Sequence, residues 1–257
     1  MPDTTKAPPG VDIRRAESRM STRVGWLDSR HSFSFANHWD PGNTHHGLLL
    51  VNNDDVVAPG TGFDTHPHRD MEIVTWVLQG SLVHQDSEGN KGLIYPGLAQ
   101  RMSAGTGILH SEKNDSWQLR GGPSHQQPVR FIQMWVAPDE NGIRPGYEQA
   151  EIDAELLAGG LVPVASGMEQ HSDSAAIRIR NRYAALHVAR LLPEGAVALP
   201  DAPYVHLFVA RGTVELEGSG VLRQGDAVRF TATGGHRLAA VEPAEVLVWE
   251  MHAGLAA

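Results

Sequence analysis

A pattern of short strand, glycine and short strand, written twice along the chain, constrains the fold most strongly. Residues 72–78, "EIVTWVL", are rich in β-branched and aromatic side chains. Gln79-Gly80 marks a turn, and "SLVHQD" (81–86) reads as the returning strand. "SEGN" (87–90) turns again, "GLIYPG" (92–97) leads on, and "VRFIQMWVAP" (129–138) is a further strand stopped by Pro138. In the second half, "VHLFVARGTVELEG" (205–218) matches "VTWVLQGSLVHQDSEG" (74–89), and "RQGDAVRFTATGG" (223–235) echoes "YPGLAQRMSAG" (95–105). Two copies of a β-meander predict an all-β chain of two barrels. Residues 139–160 change character. Their first part is turn-like, and "EQAEIDAELLAG" suits one or two helical turns stopped by Gly159-Gly160. This stretch reads as a connection and divides the chain into residues 1–140, 141–160 and 161–257.

Composition narrows the function. The net charge is −9 and no basic run is present, which argues against nucleic acid as a partner. Cysteine is absent, so disulfides, thiolate nucleophiles and Cys-type zinc sites are excluded together. No apolar run reaches signal-peptide or membrane-spanning length, so a cytoplasmic protein is the expectation. Histidine is the unusual residue, with 14 copies. For His31, His45, His46, His171 and His252, ordinary surface or hydrogen-bonded imidazoles are expected.

Local spacing sets four residues apart. His66 and His68 are two apart at the start of a strand, so both imidazoles can face one point. Pro67 between them favours the extended form. His110 and Glu112, in "AGTGILHSEKN" (104–114), form a second pair with the same spacing. Two segments that each offer two ligands can close around one ion. Neutral imidazoles with a carboxylate suit a divalent first-row metal. Glu72 lies four residues after His68, and strand parity leaves Glu72 and Glu112 as alternatives for the carboxylate.

These residues carry a resemblance. Gly60, His66, His68 and Glu72, spaced G-x5-H-x-H-x3-E, are similar to the first cupin motif. Two departures, Gly80 eight residues after Glu72 and His110 five residues after Gly105, match the pirin branch of the cupins. "THPHRDMEIVTWVLQG" and "MSAGTGILHSE" resemble pirin signatures. "GWLDSRHSFSFANHWDP" (25–41), "HQDSEGNKG" and "ENGIRPGYEQ" point to bacterial pirin-like quercetin 2,3-dioxygenases. The resemblance covers most of residues 11–150 and is weaker beyond.

The resemblance implies a bicupin, two double-stranded β-helix barrels packed together, with a metal-binding N-terminal barrel and a degenerate C-terminal one. It implies His66, His68, His110 and Glu112 as ligands to a single divalent transition metal. Iron is favoured; Cu, Ni, Co, Mn and Zn are the alternatives. Cupin spacing in general favours Glu72 as the carboxylate, whereas the pirin pattern favours Glu112 and leaves Glu72 to orient a ligand histidine. The implied activity is O2-dependent cleavage of a flavonol-like aromatic substrate, with Glu112 as the candidate base for its hydroxyl proton. Two other readings are a metal- or redox-sensing regulator that binds a protein partner, and an isomerase or hydrolase using a redox-silent metal. Aligning Gly212 with Gly80 puts Ala198, Pro200 and Tyr204 at the positions of His66, His68 and Glu72. His236 has no paired ligand, and His206 lies in an apolar strand. The second barrel is therefore expected to be structural.

Overall fold

The computed structural model describes residues 10–255; the extreme N-terminal residues that figured in the targeting argument lie outside that range. The chain is nearly all β, with α-helix confined, among the described residues, to Ser116–Arg120 and Asp153–Leu156. Among these residues no helix is long and apolar enough to cross a membrane.

The duplication is visible in the sheets. In the first half, four strands pair in the order Leu98–Ser103, Glu72–Gln79, Val129–Val136, Leu49–Val57. In the second half, Ala227–Thr231, Tyr204–Arg211, Ala244–Met251 and Ala184–Leu191 pair in the same order. Each half also has a four-stranded sheet. One runs Gly62–His68, Ile108–Lys113, Leu82–Asp86, Lys91–Ile94, and the other Ala196–Ala198, Arg237–Ala240, Thr213–Leu216, Gly220–Arg223. Gly80 and Gly212, aligned on sequence alone, occupy one structural position. Their φ angles are +76° and +74°, and an added Cβ would meet the carbonyl oxygens of Pro128 and Pro243 at 2.9 and 2.2 Å. Glycine is needed at both turns because any other residue would be strained and clash with backbone.

Between the halves, the large sheets pack face to face. Val74, Trp76, Leu78, Ile132 and Met134 meet Leu186, Val188, Phe208, Leu247 and Trp249 in one shared core. The Trp76 indole N–H donates to Glu245 Oε1 at 2.6 Å. Strand alternation sends Ile73, Thr75 and Val77 the other way, into the first barrel. Both faces of Glu72–Gln79 are thus covered, which is why the strand reads as an almost unbroken apolar run.

The two barrel interiors differ in chemistry. Val205, Leu207, Val209, Leu222, Val228, Leu238, Val246 and Val248 form a continuous apolar filling in the second. The first is split into two smaller apolar groups, one around Val77 and Phe131 and one around Ile73 and Ile108. Thr75 lies between Ile73 and Val77 on its strand, and Gln133 lies between Phe131 and Trp135, so a polar centre interrupts this core.

Two local expectations are revised. The first third of the stretch expected to form one or two helical turns belongs to a strand, Gly146–Glu151, which pairs along Leu98–Ser103; Asp153–Leu156 forms a single turn. Pairing to an open sheet edge outweighs the weak local preference. In addition, Gly10–Arg14 pairs with Ala227–Thr231 of the second half. A boundary at residue 140 therefore divides the sequence but not the sheets.

Candidate metal centre

His66 and His110 stand directly opposite each other on paired antiparallel strands. His68 is one alternation further along, opposite Ile108. A bulge between His110 and Glu112 shifts the register, so Glu112 faces Phe63 rather than Asp64. On its other side the same strand pairs His110 with Asp86 and Glu112 with His84.

The three imidazoles converge. Their ring centroids lie 4.5–4.9 Å apart, and their donor nitrogens all fall within 4.8 Å of one another. His66 Nε2 and His110 Nε2 are 3.1 Å apart. His66 Nδ1 is 2.7 Å from the Asp64 carbonyl oxygen; donation of that N–H leaves the Nε2 lone pair free. His68 Nε2 is buried without a hydrogen-bond partner. Burial, together with the His110 and His66 rings, pushes His68 down to about 4. Burial, with His66 and His84 alongside, pushes His110 to about 3. At neutral pH both rings are therefore uncharged, the form that ligates a metal. Convergent lone pairs and an orphaned buried nitrogen fit a cation.

Glu112 is buried beside them. Gln133 Nε2 donates to its Oε2 at 2.6 Å, the Thr75 hydroxyl donates to Oε1 at 3.4 Å, and Trp135 Nε1 donates to Gln133 Oε1 at 3.2 Å. Trp135 also stands edge-on to His68, with centroids 4.8 Å apart. Glu112 shares a compact donor group with His110 and His84, and His110 is the residue common to both groups.

Sequence reasoning missed His84. It is fully buried, its Nδ1 lies 3.5 Å from His110 Nδ1, and its Nε2 lies 3.2 Å from Asp86 Oδ2. Asp86 is held by Asn90 and by the Glu88 backbone N–H. Burial would raise the Asp86 pKa, but hydrogen bonds from Asn90 and His84 outweigh it and hold the group below the usual carboxylate range. An N–H from His84 to Asp86, and one from His110 to His84, would leave His110 Nε2 facing the other two rings with its lone pair. The signal was the spacing of His84 and Asp86, two apart in "SLVHQD" and so on one face.

Glu72 sits elsewhere. It shares its face of the strand with Val74 and Trp76, toward the second half. Its Oε2 accepts the Ser103 hydroxyl at 2.9 Å and the Arg180 backbone N–H at 3.0 Å. The expected role of orienting a ligand histidine is thereby replaced by one of joining the two halves. His236 Nε2 is 3.1 Å from the Thr233 hydroxyl and its ring lies against Phe230, while His206 is fully buried near Phe33. A groove of about 460 Å³ adjoins the centre, lined by Pro67, His68, Arg69, Thr106, Ile108 and Leu109 among others.

Two joined β-barrels, one with an apolar filling and one with an imidazole-lined polar centre, define a bicupin. The pirin family profile matches residues 13–136. A protein of Mycobacterium tuberculosis, provisionally named a quercetin 2,3-dioxygenase, is 62% identical over 95% of this chain and 96% of its own. The quercetin 2,3-dioxygenase of Escherichia coli K12 is 51% identical over 56% of this chain and 59% of its own. The crystal structure of the bacterial pirin YhhW from Escherichia coli, in complex with nickel(II), superposes with a TM-score of 0.83 at 35% identity, covering 95% of this chain and all of that one. The chain belongs to the pirin family.

Proposed function

We propose that this pirin is a metal-dependent dioxygenase that cleaves a flavonol such as quercetin, with the metal held by His66, His68, His110 and Glu112. The convergence of three imidazole nitrogens beside a buried carboxylate carries this reading. The names of the Mycobacterium and Escherichia coli relatives support the substrate class, and the nickel complex of YhhW supports a divalent metal. When bound, such an ion supplies a Lewis acid and a route for electrons to O2.

The protein's own residues do the rest. The chain from His110 through His84 to Asp86 fixes the tautomer and direction of His110. Gln133 and Trp135 hold Glu112 in place, and Glu112 is the carboxylate suited to take the flavonol's hydroxyl proton. The groove beside His68 offers apolar walls at Pro67, Ile108 and Leu109 for a planar aromatic ring. In the overall reaction one flavonol and one O2 give one depside and one carbon monoxide, the hydroxyl-bearing ring carbon leaving as the gas.

The test is oxygen uptake and carbon monoxide release with quercetin, after reconstitution of metal-free protein with Fe, Co, Ni, Mn or Cu. At least one form is expected to consume O2 and release carbon monoxide in equal amounts, with activity abolished by chelator. Failure of every form to take up O2 with quercetin would overturn the proposal.

A further inference from the structure

The second barrel contains its own group of metal-type donors. His187 lies on Ala184–Leu191, Glu250 on Ala244–Met251, and His171 on the short 3-10 turn Glu169–His171. One donor atom from each lies within 4.8 Å of the other two. His187 Nε2 is 2.8 Å from Glu250 Oε2, and His252 Nε2 is 2.8 Å from Glu250 Oε1. The ring centroids of His171 and His187 are 5.3 Å apart. None of the four stands at a position that alignment with the first-barrel ligands would examine.

We propose that His171, His187 and Glu250, with His252 as a fourth donor, form a second binding site for a divalent transition metal of the zinc class. The inference does not depend on the catalytic reading of the first barrel.

Location is the first argument. His187 shares strand parity with Ala189 and Leu191, and Glu250 with Val246 and Val248, all of which fill the second barrel. Both side chains therefore stand on the inward face of their strands at the edge of that apolar filling, where a polar group is costly unless it is paired. Within the repeat, Trp249 and Met134 both lie in the core shared by the two halves, so Glu250 corresponds to Trp135. Trp135 is the residue that abuts His68 at the mouth of the first barrel.

Donor chemistry is the second argument. A carboxylate between two imidazoles could be satisfied as an ion-paired triad, but His171 then has no role. It comes from a separate segment, and no carboxylate hydrogen-bonds it; instead its Nδ1 lies 3.0 Å from the Ser166 hydroxyl, which itself accepts the Met168 backbone N–H at 3.0 Å. With Nδ1 donating to Ser166, Nε2 keeps its lone pair, the arrangement that orients a ligand imidazole. Three imidazoles and one carboxylate match the nitrogen and oxygen donors that zinc, nickel and cobalt take. His187 and Glu250 are buried, while the His252 side chain keeps 40% exposure and leaves an edge for the ion to enter. A bound cation would tie the 3-10 turn after Val162–Ser166 to the last strand of the chain.

The test is equilibrium dialysis of chelator-treated, full-length protein against Zn2+, followed by thermal unfolding. The His66→Ala/His110→Ala variant removes the first centre and is expected to retain one zinc per chain and to unfold at higher temperature when zinc is added. Adding Glu250→Gln, which keeps the shape of the side chain, should weaken that binding at least tenfold and remove the thermal shift. Adding His171→Asn, at a surface turn outside the barrel strands, should weaken it similarly and serves if Glu250→Gln does not fold. No zinc on the His66→Ala/His110→Ala variant, or zinc held equally well after Glu250→Gln or His171→Asn, would overturn the proposal.

Discussion

Asp55→Asn should stabilise the protein at neutral and alkaline pH. Asp55 lies on Leu49–Val57, buried, with Oδ1 lacking a hydrogen-bond partner. Burial is the main force that pushes its pKa from 3.8 to about 7; a hydrogen bond from Ser29 opposes the rise, and the charges of Asp54 and Glu112 add to it. The folded state thus binds this proton more tightly than the unfolded state does. Below the unfolded value the group is neutral in both states and imposes no penalty. Stability is then lost as the pH rises from about 4 to about 7, and the full penalty applies above that. The rise from 3.8 to about 7 is about 3 units, which at 1.36 kcal/mol per unit sets an upper bound of ~4 kcal/mol. Asparagine is neutral throughout and lacks this slope. Urea unfolding of metal-free protein should show the variant gaining on wild type from near zero at about pH 4 to roughly 2–4 kcal/mol at about pH 8. A divalent ion beside Glu112 would favour the Asp55 carboxylate, so the gain should shrink on metal loading. A difference between variant and wild type that stays flat across this range would refute the reasoning.

His84→Ala should lower metal affinity roughly 10- to 100-fold without abolishing binding, read by competition with a chromophoric chelator, because it frees the His110 ring. Glu72→Gln should leave metal content unchanged, read by elemental analysis, yet lower stability, because its carboxylate bridges Ser103 and Arg180 rather than the histidines. Gly212→Ala should cost roughly 1–3 kcal/mol in urea unfolding, from a strained backbone and a Cβ pressed on the Pro243 carbonyl.

Local signals made much of this molecule legible in its sequence. Glycine turns and β-branched runs reported the strands and their duplication, and spacing by two reported the histidine pairs. Strand parity could not say which face of 72–79 looks into the barrel, because both faces are buried and alternation disappears. The choice between Glu72 and Glu112 was open for that reason. The strand Gly10–Arg14 joins the far half through a pairing of long sequence separation, which no local pattern encodes. His84 becomes part of the centre only through its register with Glu112. His171, His187 and Glu250 come from three separate segments, and each alone resembles an ordinary polar residue.

Anomalous diffraction from crystals of nickel-loaded protein tests the assignment of the centre most directly. A nickel peak is expected at roughly 2.0–2.2 Å from Nε2 of His66, His68 and His110 and from a Glu112 carboxylate oxygen, with His84 held off by Asp86. A peak ligated by His84 in place of His66 and His68, or by Glu72 in place of Glu112, would contradict it.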